Sequence, residues 1–233
     1  MTKTKATPEK LIGTLAMFPD NILVSLLYEI NISPVVMFPD ETNPTGHRLL
    51  DVSDETNARI AIKSKLDYMR ITCKNVHQVF WNVTKPNRLQ ILDFTLRIYD
   101  YPKKEYSDLL LDLWLSTEFP HQHKISSLVN MFSIADIAEM MDEGEKNIYA
   151  NFPEKLTIYR GTPDKKAKIR GLSWTTDLEK AEWFAKRFNL KGTVYQATIS
   201  KNRIFLYTHK RCENEVIVNP RYLKNVTEIK NGV

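Results

Sequence analysis

The chain has 233 residues, 42% of them apolar and 26% charged, an ordinary balance for a soluble globular protein and one that excludes a low-complexity or collagen-like chain. Seven glycines and eleven prolines leave little scope for long flexible linkers. The 33 basic and 28 acidic side chains give a net charge of +5, an excess that permits phosphate-bearing partners without demanding one.

Residues 8–33 read as one or two short helices: Pro8-Glu9 is a helix start, and Leu11, Leu15 and Phe18 carry a helical stripe. Phe18-Pro19-Asp20 interrupts it, and Leu23, Leu26, Leu27 and Ile30 share the next face. Residues 34–55 carry three turn signals in close succession, so a loop is expected there and a boundary at residue 55. Helical patterns follow over 56–82, 86–100, 103–115 and, as the longest, 125–150, which Phe152-Pro153 ends. This divides the chain into a helical extension with loop, 1–55, and a domain over 56–233, with helices at 56–150 and a strand-rich part at 155–233.

After residue 155 the pattern shortens. LTIYRGT reads as a strand stopped by Gly161, with Leu156, Ile158 and Arg160 on one face, and GLSWTT as a second strand or strand end. Asp177 caps a helix over about 178–188, whose Ala181, Phe184, Ala185 and Phe188 make a buried face, and Gly192 stops it. Three strand-like runs follow, 193–200, 203–207 and 215–218. Helices first and strands after, without βαβ alternation, give an α+β class.

Cys73 and Cys212 make neither a disulfide framework nor a metal site, and the five histidines form no metal pattern. His121-Gln-His123 follows a proline in a loop-like stretch, where solvation is the simpler reading. No metal is expected. No apolar run is long enough to cross a membrane, and MTKTKATPEK does not open a signal peptide, so a cytoplasmic protein without membrane contact is expected.

The stretch CENEVIV, 212–218, places two acids at the mouth of an apolar strand. Val216, Ile217 and Val218 are an apolar β-branched run, and Glu213 and Glu215 stand before and at its start. Residues two apart on a strand point the same way, which puts the carboxylates on one face with Cα atoms about 6–7 Å apart. Two such acids serve glycosidic-bond chemistry, in which carboxylates stabilise a cationic sugar-like transition state. On this stretch alone a strand end with two solvated acids is the favoured reading.

Three pieces stand in order: Arg160 in TIYRGT, Ser173 and Thr175 in LSWTT, and Glu213 and Glu215 in CENEVIV. Together with the AEWFA run at 181–185 they resemble the ADP-ribosyltransferases of the Arg-Ser-Glu type, over roughly residues 155–220. That group includes arginine-modifying bacterial toxins and phage enzymes. Its second motif is usually Ser-Thr-Ser, so Trp174 departs from it. The resemblance implies a C-terminal split β-sandwich with the N-terminal helical region packed on it, and NAD as the substrate that donates ADP-ribose.

On that resemblance Arg160, beside Gly161, binds the NAD pyrophosphate, since a guanidinium fork suits phosphate oxygens. The alternative is a pair with a local acid such as Asp164. Ser173 and Thr175 serve NAD binding, with Ser173 also orienting Glu215; turn or cap hydroxyls are the alternative for both. Glu215 stabilises the oxocarbenium-like ribosyl centre, and Glu213 positions the acceptor or takes its proton. Glu at position 213 implies a protein arginine as acceptor. The basic run His209, Lys210 and Arg211 pulls towards a nucleic acid, unless it is a solvated loop. Water as acceptor would make the protein an NAD glycohydrolase, and a degenerate site would leave a non-catalytic binding protein. The family setting implies a phage or bacterial conflict-system enzyme, a toxin in that sense, whose N-terminal helices bind an antitoxin or host target.

Overall fold

The computed structural model describes residues 3–30, 33–117, 123–163, 169–187 and 192–229. His121, Asp164 and Phe188 lie outside the described residues. The chain divides into two compact units, Met1–Pro102 and Lys103–Val233. The expected boundary at residue 55 falls inside the first unit, within a stretch where a helix follows directly on a hairpin.

In the first unit β1 (Thr4–Lys5) leads into α1 (Pro8–Leu15), where the Thr7 hydroxyl caps by accepting from the Lys10 N–H and Pro8 has no N–H to leave unpaired. Pro19 separates α1 from α2 (Asp20–Leu27). Residues 34–55, expected as loop, hold an antiparallel hairpin of β2 (Val35–Pro39) and β3 (His47–Asp51). The turn signals belong to its connection alone, where the Asp40 N–H reaches the Gly46 carbonyl at 2.9 Å and Gly46 takes a φ of 71°. The flanking runs VVMF and RLL are apolar enough to pair.

The single pattern over 56–82 is two helices, α3 (Glu55–Thr72) and α4 (Val76–Trp81). The chain is extended at Cys73, and the Asn75 side chain starts α4 by accepting from the Gln78 N–H. Next come α5 (Arg88–Leu96) and β4 (Tyr99–Asp100), which pairs in parallel with β1.

The second unit opens with α6 (Lys103–Ser116). The long helix expected at 125–150 is broken twice, into α7 (Ile125–Ile134), α8 (Ile137–Met140) and α9 (Glu143–Ala150). The Ser107 hydroxyl takes the Asp136 N–H at 2.7 Å just past the end of α7. A reciprocal capping box between Asp142 and Glu145 begins α9. The apolar stripe continues across both breaks, so periodicity alone does not reveal them.

The remaining elements are β5 (Lys155–Thr162), β6 (Ser173–Thr175), α10 (Leu178–Lys186), β7 (Thr193–Ser200), β8 (Ile204–Thr208), β9 (Glu215–Val218) and β10 (Lys224–Ile229). β10 was not anticipated, because KNVTEI carries no apolar alternation; no residue in it is buried. These strands form one six-stranded antiparallel sheet in the order β10-β7-β5-β6-β9-β8. The chain is therefore α+β. β5 and β7 pair along eight positions, whereas β5 and β6 meet at Tyr159 and Thr175 alone. Two three-stranded halves thus join at a narrow waist.

β9 is buried along its whole length, with Val216, Ile217 and Val218 fully enclosed. Each such side chain contributes about 1.5–3 kcal/mol of burial free energy. An aromatic series ties helices to this half of the sheet: Trp114 on α6 meets Phe132 on α7 edge-on at 5.1 Å, and Phe132 stacks on Phe205 of β8 at 6.0 Å. Among the described residues no helix is long and apolar enough to cross a membrane.

On the other half, α10 lies against β5 and β7 through Ala181, Ala185 and Val194, with Tyr159 packed on that cluster. Tyr159 and Gly161 share one strand face, so Arg160 points to the other. Gly161 does not end β5, which runs on to Thr162; it pairs with Val194 inside the ladder. Its lack of a side chain lets α10 close down, since a Cβ there would sit 1.8 Å from the Ala181 carbonyl oxygen. Gly161→Ala is expected to lower stability by about 3 kcal/mol, as overpacking against a backbone does. Urea unfolding measures it, with the neighbouring exposed position Thr157→Ala as the mild control.

Candidate active site

Glu215 opens β9, opposite Thr175 of β6 on one side and Thr208 of β8 on the other. It is 2% exposed. A carboxylate at that depth is costly unless donors surround it. Its Oε1 accepts from the Ser173 hydroxyl at 2.6 Å and from the Trp114 indole N–H at 3.2 Å. Its Oε2 accepts from Arg211 Nη2 at 3.1 Å. An acceptor oxygen has two lone pairs, so Oε1 is filled and, among the described residues, Oε2 keeps one position beside Arg211.

Ser173 lies one strand over and diagonal to Glu215 on the same face, the next-nearest relation across a ladder. Its hydroxyl serves Glu215 and its carbonyl serves Arg160, whose Nη1 donates to it. Ser173 thus ties the cation at the sheet waist to the buried acid. Arg160 Nε is buried and has no hydrogen-bond partner among the described residues. A buried donor left in that state costs about 1–3 kcal/mol. Burial also pushes the Arg160 guanidinium down to about 10, with Glu215 partly opposing that, so it stays cationic at neutral pH. Gly171 makes room for it: a Cβ at 171 would stand 2.8 Å from Arg160 Nη2.

Thr175 is buried and its hydroxyl is engaged at both lone pair and proton, donating to the Glu213 carbonyl at 2.7 Å and accepting from the Asp177 N–H at 3.0 Å. It fastens the 213–214 backbone to the start of α10. Gly161 sits under α10, as above. Trp174 is core, 2% exposed, with its indole N–H on the Gly171 carbonyl.

Glu213 does not share a strand face with Glu215 by alternation. It precedes β9, between Cys212 and Asn214, both in the left-handed region with φ of 55° and 46°. The two acids converge all the same, because Arg211 Nη2 stands 3.0 Å from Glu213 Oε2 and 3.1 Å from Glu215 Oε2. Arg211 Nη1 also reaches the Leu115 carbonyl, near the C-terminus of α6, at 3.3 Å, a favourable end for a cation. Arg211 Nε is the second buried donor with no partner among the described residues.

The basic run 209–211 is not a freely solvated loop. Glu145, fully buried at the start of α9, accepts from the Thr208 hydroxyl at 2.7 Å, the His209 N–H at 3.0 Å and the Asp142 N–H at 3.0 Å. Lys210 lies 3.8 Å from Glu145 and donates to the Met140 carbonyl. Asp142, Glu145 and His209 also present ligand atoms within 4.8 Å of one another, the one grouping of its kind among the described residues. Glu145 already meets protein donors on both oxygens, so the cluster works as a loop anchor as it stands.

Sequence reasoning brought Arg160, Ser173, Glu213 and Glu215 to this place and missed Trp114 and the role of Arg211. Trp114 reads in sequence as one more apolar residue of the α6 stripe. Its signal was the indole N–H, which requires a partner when buried. No family model, no curated protein and no solved structure matches this chain.

Glu213 is half-buried, and burial raises its pKa above the ordinary carboxylate value; Arg211 opposes this, and Glu215 adds to it. A carboxyl held more firmly protonated in the fold than in the unfolded chain contributes stability below the ordinary value, about 4.3, and loses it as pH rises through the raised one. Glu213→Gln removes this dependence. The variant is expected to melt above the parent at pH 7, with the gain vanishing by about pH 4. Thermal melts across that range measure it.

Proposed function

We infer that this protein transfers ADP-ribose from NAD to a macromolecular acceptor, with a protein arginine favoured. The observation that carries the reading is the contact series Arg160–Ser173–Glu215, in which three residues from separate sequence motifs meet around one serine. The narrow waist between β5 and β6 supports the split-sandwich fold expected with that activity.

Arg160 offers NAD a cation whose buried Nε has no partner among the described residues, suited to pyrophosphate oxygens. Glu215 offers one open lone pair on Oε2, where a ribose 2′-hydroxyl can donate. As the bond to nicotinamide stretches, the ribosyl centre gains positive charge, and the fixed carboxylate binds that state more tightly than the ground state. Ser173 and Trp114 hold the carboxylate so that it need not reorganise. Glu213, with its raised pKa, suits a group that takes a proton from the acceptor as the new bond forms. In this setting the protein works in the cytoplasm, as a toxin-like or phage enzyme.

A nucleic-acid acceptor is the second reading, and α10 favours it. Trp183 is 54% exposed there, with Lys180 and Arg187 each over its ring at 5.6 and 5.5 Å. Both cations act on Glu213 through space. An exposed indole flanked by cations suits a stacked base and its phosphates.

Labelled NAD incubated with bacterial lysate and the purified protein tests the activity. Glu215→Gln is expected to keep NAD binding, read as a thermal shift, while turnover falls about 10²–10³-fold. Near-normal turnover in that variant sinks the assignment. Label lost to protease and to hydroxylamine marks a protein arginine, and label lost to nuclease marks the second reading. Glu213→Gln is expected to reduce transfer more than NAD hydrolysis; equal losses in the two assays would remove Glu213 from the acceptor side.

A further inference from the structure

Arg211 occupies an unusual place for a structural arginine. One of its nitrogens, Nη2, lies between the two acids that the proposed chemistry needs, 3.0 Å from Glu213 and 3.1 Å from Glu215. The side chain is 32% exposed, so it borders solvent and is not sealed in the core. Its Nε is a buried donor with no partner among the described residues, so the guanidinium is not fully satisfied where it rests. The loop that carries it is fixed: Glu145 holds Thr208 and His209, the Cys212 N–H returns to the His209 carbonyl at 2.7 Å, and Thr175 holds the Glu213 carbonyl. A guanidinium on a rigid loop is thus presented to the carboxylate that would receive an acceptor's proton.

We propose that Arg211 is an acceptor built into the chain, so that the protein attaches ADP-ribose to its own Arg211 when no external acceptor is supplied. The inference rests on the reading of the site as an NAD-dependent transferase. A ribose hydroxyl on the open lone pair of Glu215 Oε2 brings the adjacent C1′ to the side of Nη2, the approach that an in-place nucleophile needs, about 3–3.5 Å. The C1′–nitrogen bond to nicotinamide breaks, and nicotinamide leaves neutral with the electron pair. Nη2 forms the new bond to C1′, and its proton passes to the Glu213 carboxylate. No oxidant or further reactant is needed. Because acceptor and acids belong to one short segment, 211–215, the reaction is intramolecular.

The test uses the wild-type full chain with labelled NAD and no other acceptor, followed by peptide mapping by mass spectrometry, and in parallel a free small guanidine as external acceptor. The expected result is ADP-ribose on Arg211, removed by hydroxylamine, at a fractional rate independent of protein concentration. A tagged Glu215→Gln chain mixed with wild type is expected to stay unlabelled. Nicotinamide release or labelling of the external guanidine, with Arg211 unmodified, overturns the inference and leaves the transferase reading standing. Labelling of the tagged inactive chain overturns the intramolecular route. No release and no transfer under any condition overturns both. Arg211→Lys, checked for folding by its melt, is expected to lose the hydroxylamine-sensitive label, and persistence of that label on another residue places the acceptor elsewhere.

Discussion

The structure around the site depends on surrounding one buried carboxyl group with donors in a place with almost no water. Glu215 is 2% exposed, and a carboxyl group left without partners there would destabilise the sheet end. Donors from three separate parts of the second unit prevent this: the indole of α6, the hydroxyl of β6 and the guanidinium of the 209–214 loop. Each donor also places its own element. The Trp114 indole faces the strand end because its N–H needs the acid, and its ring then fixes Phe132 and Phe205. The core and the site are therefore one packing problem, and the acid is its centre.

A second buried acid does for the loop what Glu215 does for the strand. Glu145 carries no exposed surface and gathers Thr208, His209 and the start of α9. The 208–215 segment is thus fixed at both ends, which holds Arg211 beside Glu213 and Glu215. The charge arrangement follows. Arg160 stands at the carbonyl of Ser173 and Glu215 at its hydroxyl, so one serine separates a cationic end from an acidic end. A substrate with phosphates at one end and a sugar hydroxyl at the other matches that polarity.

Much of this was legible in the sequence, for physical reasons that can be named. β7 and β9 lie where the β-branched runs placed them, and α10 follows its Asp177 cap and its small-residue face. The helix breaks at 135 and 141 were hidden because the apolar stripe survives them; the Asp142–Glu145 capping box was the local signal that competed with periodicity. The 35–51 hairpin was hidden by its own turn residues. The partners of Glu215 could not be read from spacing, since Trp114 is 101 positions away in sequence and only tertiary packing brings it there.

The convergence of Glu213 and Glu215 was expected from strand alternation, and it occurs by a different route. Alternation fails at once, because Asn214 and Cys212 turn left-handed on either side of Glu213. Asn tolerates that region; a cysteine does so at a cost of about 1–2 kcal/mol. Such conformations persist where the surroundings over-determine them. Here Thr175 takes the Glu213 carbonyl, Thr176 takes the Asn214 carbonyl and Tyr207 donates to the Asn214 side chain. Three contacts thus enforce a turn that the sequence would not adopt by itself. Their combined effect is to set Glu213 beside the same guanidinium as Glu215, against the mutual repulsion of the two acids. A chain under pressure only to be stable would let Glu213 swing into solvent. The backbone instead holds it half-buried, with its carboxylate 3.0 Å from the guanidinium that also meets Glu215.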